Sequence, residues 1–259
     1  MHIDVLTSGI WQTNSTILAH GGACVVVDPA YFPRELDAIA ARVAELGRAA
    51  AVVFTHGHWD HVMGHAAFPG APVHVSRVLA AAVAQGDPRA AKYLEDARAF
   101  DSRWYVPRPA GHRWPAELRG VGEAMRTELA GLALRALELP GHSPDGLGLV
   151  VEDTLLVGDY LSPCEIPFID DARAYRATLA RLLELLREVR RVIPGHGPRL
   201  TAAEASAIAS ADLAYVDRLL AARDHDAALA VAVPRAADVV GMMDSHRDNC
   251  AKVTAGART

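Results

Sequence analysis

Along the early part of the chain the hydrophobic positions change period. Thr16-Ile17-Leu18-Ala19 and Ala23-Cys24-Val25-Val26-Val27 are short apolar runs on either side of His20-Gly21-Gly22, which is a hairpin signal. The second run stops at Asp28-Pro29. The spacing then lengthens: Leu36, Ile39, Ala40, Val43 and Leu46 follow the 3.6-residue period. This predicts a helix that starts near Pro33, a favourable first-turn residue, and closes at Gly47. Ala51-Val52-Val53-Phe54 reads as a short buried strand. It runs directly into Thr55-His56-Gly57-His58-Trp59-Asp60-His61, and Pro72–Ser76 reads as the next strand.

From 77 to about 127 the pattern is mostly helical and irregular, with Trp104, Tyr105 and Trp114 set among Pro and Gly. That is long for a plain connection and suggests an insertion or lid beside a site. Trp104, Tyr105 and Trp114 either line an apolar pocket or pack the insertion. Strands resume at Leu132–Leu139, Leu147–Glu152 and Thr154–Val157. A helix over Ala172–Val189 carries Tyr175, Leu179, Leu182, Leu183 and Leu186 on one face, capped by Asp170 or Asp171. Arg191-Val192-Ile193 is a last strand. Thr201 with Glu204 has capping-box spacing and opens a helical extension over about 200–259. No linker, low-complexity segment or long-period repeat interrupts the chain, so one domain over 1–259 is expected, with α and β layers stacked on one core.

Composition narrows the function classes. The chain has 259 residues, 51% hydrophobic, with a net charge of −5, which offers no basic field for nucleic acid. Cys24, Cys164 and Cys250 are far apart and odd in number, so neither a disulfide framework nor a CxxC metal pair is expected, and a cytoplasmic location fits. The first residues lack a basic start followed by an apolar run, so no signal peptide is expected. No apolar run approaches the ~20 residues of a membrane span.

The candidate chemistry sits at strand ends. In an extended segment residues i and i+2 face the same side, so His56 and His58 can meet one metal. Asp60 and His61 come as the loop turns into a helix and can serve a second ion. Leu139-Pro140-Gly141-His142 and Ile193-Pro194-Gly195-His196 each end a strand in Pro-Gly-His. Val157-Gly158-Asp159 ends another with a carboxylate. Pro stops the ladder and Gly lets the chain turn. Imidazole and carboxylate without thiolate suit zinc, and also iron or manganese.

This constellation resembles the metallo-β-lactamase superfamily, whose pattern is HxHxDH followed by His, Asp and His at later strand ends. The resemblance covers roughly residues 3 to 200. It implies an α+β fold, a four-layer αββα sandwich, here with a helical insertion and C-terminal helices. It implies two metal ions, expected as Zn2+ with Fe or Mn as alternatives. His56, His58 and His142 would hold one, Asp60, His61 and His196 the other, and Asp159 would bridge. Asp60 would orient the attacking hydroxide and pass its proton to the leaving group. Asp28, at a strand end, and Thr55 are candidates for orienting the ligands. Tyr160, next to the bridging position, and His246, in the C-terminal helical segment, are candidate substrate contacts. His246 on the surface is the competing reading.

The resemblance to the glyoxalase II-like branch rests on the candidate bridge at Asp159, which established β-lactamases of this fold generally lack. The run Tyr160–Ile169 has no basic residue, which argues against a glutathione substrate. Acyl-homoserine lactonases of the fold tend to carry Tyr three residues past the bridging Asp, where this chain has Ser162. The expected activity is metal-dependent hydrolysis of a small-molecule ester, thioester or lactone. A mononuclear iron persulfide dioxygenase-like oxidoreductase and a β-lactam-type amide hydrolase are the alternatives. The expected partner is a small molecule, without nucleic acid or membrane. The insertion and the C-terminal helices offer faces for a homodimer.

Overall fold

The computed structural model describes residues 1–123 and 125–256, so the last three residues of the C-terminal extension and Ala124 of the insertion lie outside the described residues. The chain forms two compact units. The first comprises Met1–Glu138 with Leu147–Val151, the second Leu139–Gly146 with the rest of the chain from Glu152.

In the first unit β1 (His2–Thr7), β2 (Asn14–His20) and β3 (Ala23–Val27) form an antiparallel meander. The hairpin register pairs Ile17 with Val26. Helix α1 (Pro33–Leu46) follows, then β4 (Arg48–Val53), which pairs parallel to β3. The short helix α2 (Trp59–Val62) and a 3-10 turn lead to β5 (Val73–Ser76). Helices α3 (Arg77–Gln85) and α4 (Pro88–Trp104) precede β6 (Leu118–Val121). The sheet runs β1-β2-β3-β4-β5-β6. β7 (Arg126–Leu129), β8 (Leu132–Glu138) and β9 (Leu147–Val151) form a second antiparallel ladder.

Alternation along the first sheet builds the core. Ile17, Val26, Val52, Phe54, Val73 and Val75 pack with Ile39 and Val43 of α1 and with Leu79 of α3. Burying a side chain of this kind contributes about 1.5–3 kcal/mol, so α1 is held chiefly by its apolar face. Ser76 caps α3 by accepting from Leu79 N, and Asp87 caps α4 through Arg89 N with Pro88 at the first position.

In the second unit β10 (Thr154–Leu156) pairs parallel to β11 (Arg191–Ile193), and β11 pairs antiparallel to β12 (Leu200–Thr201). Between them lies α5 (Ala172–Leu185), and α6 (Ala202–Leu220), α7 (His225–Leu229) and α8 (Met242–Gly256) complete the unit. Asp171 is the cap of α5, accepting from Arg173 N and Ala174 N. The expected helix to Val189 ends at Leu185, after which the chain turns through 186–188 before entering β11. Thr201 and Glu204 form the expected capping box at the head of α6. Tyr175, Leu179 and Leu182 of α5 and Tyr215, Val216 and Leu219 of α6 are buried. Among the described residues no helix is long and apolar enough to cross a membrane.

Candidate metal centre

The first unit brings four expected ligands together at the end of β4. His56 Nε2 lies 3.0 Å from His58 Nδ1, as the alternation of an extended segment demands. The rings of His56 and His61 have centroids 4.3 Å apart, and His61 Nε2 lies 3.4 Å from Asp60 Oδ2. His56, Asp60 and His61 are buried and His58 half-buried.

Asp28 organises this group. Its Oδ1 accepts from Thr55 N at 2.7 Å, and its Oδ2 accepts from Thr55 Oγ1 at 2.6 Å. The same Oδ2 lies 3.0 Å from His61 Nδ1. Because the Thr55 hydroxyl spends its proton on Asp28, it can only accept from His56 Nδ1, 3.1 Å away. The network therefore assigns the protons of His56 and His61 to Nδ1 and leaves an Nε2 lone pair on each ring. Asp28 itself sits at φ 48, a left-handed conformation that Asp tolerates better than most residues. Thr13 Oγ1 lies 3.1 Å from Asp60 Oδ2, which ties the β1–β2 loop to the ligand loop.

The second unit brings the other three together. His142 Nε2 lies 3.2 Å from Asp159 Oδ2, and His196 Nε2 lies 3.3 Å from Asp159 Oδ1. One carboxylate thus faces an imidazole with each oxygen. His142 Nδ1 donates to Phe168 O at 3.0 Å, again leaving Nε2 as the lone-pair nitrogen, and His196 Nδ1 lies 3.8 Å from Glu165 Oε1. Two glycines are obligatory here. A Cβ on Gly195 would lie 2.2 Å from Asp159 Oδ1, and one on Gly141, whose φ is +125, would lie 2.3 Å from Tyr175 N.

Tyr160 and His246 stand away from open surface. Tyr160 is buried, donates its hydroxyl to Pro140 O at 2.7 Å and accepts from His142 N at 3.1 Å. Burial pushes its phenol well up, so it stays protonated and braces the turn that carries His142. His246 is buried too, not a surface histidine, with Nδ1 2.7 Å from Tyr215 Oη and Nε2 3.3 Å from Leu229 O. Its post is inside the helical packing of α6, α7 and α8. Sequence reasoning missed Phe168, whose contribution is a backbone carbonyl and so has no residue-type signal. Asn249 of α8, in the same C-terminal segment as His246, had no role legible in the sequence; it accepts from Ile169 N at 2.9 Å and donates to Pro167 O at 2.7 Å, fixing the segment that presents Phe168 O. All three cysteines are free thiols.

Residues 8–196 match the family model of the metallo-beta-lactamase superfamily, a span that includes all seven candidate ligands. A hydroxyacylglutathione hydrolase of Anaeromyxobacter dehalogenans (strain 2CP-C) is 34% identical over 146 residues, covering 56% of this chain and 44% of that relative. The chain thus spans less than half of that relative's length. Among solved structures, TTHA1623 in a di-iron-bound form is 29% identical, with a TM-score of 0.59 over 78% of this chain and 96% of its own. TTHA1429, a metallo-beta-lactamase family protein from Thermus thermophilus, is 20% identical, with a TM-score of 0.70 over 99% of this chain and 93% of its own, and shows the same fold along nearly the whole chain. The α+β architecture, the ordered ligand residues and the family match agree: the chain belongs to the metallo-β-lactamase superfamily, and its curated relative lies in the glyoxalase II-like branch.

Proposed function

We propose that the chain is a dinuclear zinc hydrolase that cleaves a small-molecule thioester, with esters and lactones as related substrates. In this reading His56, His58 and His142 would hold one ion, Asp60, His61 and His196 the other, and Asp159 would bridge. The observation that carries the reading is the protonation pattern. Thr55, Asp28 and Phe168 O take the Nδ1 protons of His56, His61 and His142, so neutral imidazole lone pairs and carboxylates are what these residues offer. Such a set suits a divalent cation, and ligand histidines are typically oriented in this way.

Two such ions supply Lewis acidity toward a carbonyl and bring the pKa of water from ~16 toward ~7. The chain's own residues do the rest. Asp60, held by Thr13, orients the attacking water and carries a proton to the departing sulfur or oxygen. Asp159, whose two oxygens face the Nε2 atoms of His142 and His196, would help those imidazoles hold the ions. No Ser or Cys nucleophile is needed. The thioester preference is supported by the hydroxyacylglutathione hydrolase relative, and dinuclear loading by the di-iron form of TTHA1623.

The test is metal content on protein purified without added metal, followed by a screen of thioesters, esters, lactones and β-lactams. Two zinc ions per chain with thioester turnover is the expected result. Two iron or manganese ions would revise the metal alone. A single iron with oxygen consumed on a persulfide would overturn the hydrolase. His58→Ala is expected to lower metal content and reduce kcat/KM by about a thousandfold or more, while circular dichroism stays native. Full activity in that variant would refute the assignment.

A further inference from the structure

Beside the ligand loop, and built wholly within the first unit, lies an aromatic groove of about 750 Å³. Its walls are Ile10 and Trp11 from the β1–β2 loop, Phe32 at the head of α1, and Phe100 and Trp104 from α4. Trp11 is 56% exposed and Trp104 is 59% exposed. Two large apolar rings left this open across one concavity are costly in water unless something covers them. Trp11 is also held at φ 47 and Gln12 at φ 59, a left-handed pair of non-glycine residues of the kind that collects at ligand clamps.

The groove adjoins the ligand loop through two separate links. Trp59 lies between His58 and Asp60, stacks on Phe100 with centroids 4.6 Å apart, and meets Trp11 edge-on at 5.1 Å. Thr13, two residues beyond Trp11, reaches Asp60. At the rim Arg103 lies over the Trp104 ring at 5.4 Å, and among the described residues no carboxylate pairs with it. A concave site of this volume, mostly apolar, with four aromatic side chains and a single charge at the rim, has the make-up of a small-molecule pocket.

Resting on the hydrolase reading, we propose that this groove seats the acyl part of the substrate, and that the acyl group is apolar, aromatic for preference, with an anionic substituent that Arg103 receives. A polar peptide thiol gains nothing from these walls. An aryl ring gains edge and face contacts with Trp11, Phe100 and Trp104.

The experiment compares acetyl, phenylacetyl and (4-carboxyphenyl)acetyl thioesters of N-acetylcysteamine, a small neutral thiol, on metal-loaded protein. Calorimetric titration of 4-carboxyphenylacetamide serves as a readout independent of turnover. The expected kcat/KM rises about tenfold from acetyl to phenylacetyl and about tenfold again with the carboxylate. Trp104→Ala should abolish the first increment, and Arg103→Gln the second only. Turnover of all three esters at similar kcat/KM would overturn the groove and leave the hydrolase standing. No turnover, with amide binding that Trp104→Ala and Arg103→Gln each weaken, would keep the groove and remove the hydrolase. Neither turnover nor binding would overturn both.

Discussion

At the residue scale, one carboxylate does a disproportionate share of the positioning. Asp28 receives Thr55 N, Thr55 Oγ1 and the Nδ1 side of His61, and through the Thr55 hydroxyl it sets the tautomer of His56 as well. Asn at this position has the same shape but turns one acceptor into a donor. One of the contacts to Thr55 or His61 must then be lost. Asp28→Asn is therefore expected to weaken metal affinity about 10- to 100-fold, measured by competition with a chromophoric chelator, without removing any ligand. Asp28 was legible in the sequence as a strand-end acid and a candidate for orienting the ligands, and its three hydrogen bonds run to the ligand loop.

At the element scale, the β1–β2 loop and the start of α1 are joined by Glu35. Its carboxylate accepts from Ser8 Oγ at 2.6 Å, Gly9 N at 2.8 Å, Phe32 N at 3.1 Å and Tyr31 N at 3.2 Å. Burial alone would raise its pKa, but the donors from Gly9, Ser8, Phe32 and Tyr31 outweigh it and hold the carboxyl below its ordinary value of 4.5. A carboxylate depressed on folding contributes stability that is fully present above the unfolded pKa and is lost as pH falls through the lowered folded value. Glu35→Gln should thus cost about 2 kcal/mol near neutrality, and its Tm should fall less steeply than that of the parent below about pH 4.5. Thermal melts across that range check both parts. A parallel pair of Tm curves would exclude Glu35 as the titrating group. Periodicity predicted α1 and its Pro start, but it could not show that the helix is anchored to a loop 26 residues earlier. That bond depends on where the β1–β2 loop folds back.

At the scale of the whole molecule, the candidate ligands are drawn from both compact units, four from the first and three from the second. Metal bound to the native chain and not to the unfolded one stabilises it by mass action, about 2.7 kcal/mol when free metal is 100 times Kd. Stripping the protein with a chelator should lower Tm, and restoring the ions should recover it. The recovery should shrink as the pH is lowered, because protons compete with the ions for the imidazole and carboxylate lone pairs. A Tm indifferent to chelation would argue against resident ions.

The sequence by itself determined the parts that are local. Alternation and turn residues marked the β2–β3 hairpin, the 3.6 period marked α1, and Pro-Gly-His at two strand ends marked His142 and His196. Backbone sterics and side-chain period act over a few residues, so they can be read in order along the chain. The tertiary structure decided what lies far apart in sequence: Phe168 O as the acceptor for His142, Asn249 fixing that segment, and Asp159 placed between two imidazoles. It also decided that His246 is buried against Tyr215, and that Trp11, Phe100 and Trp104 share one groove. These depend on backbone carbonyls and on packing between distant elements, and neither leaves a residue-type signature.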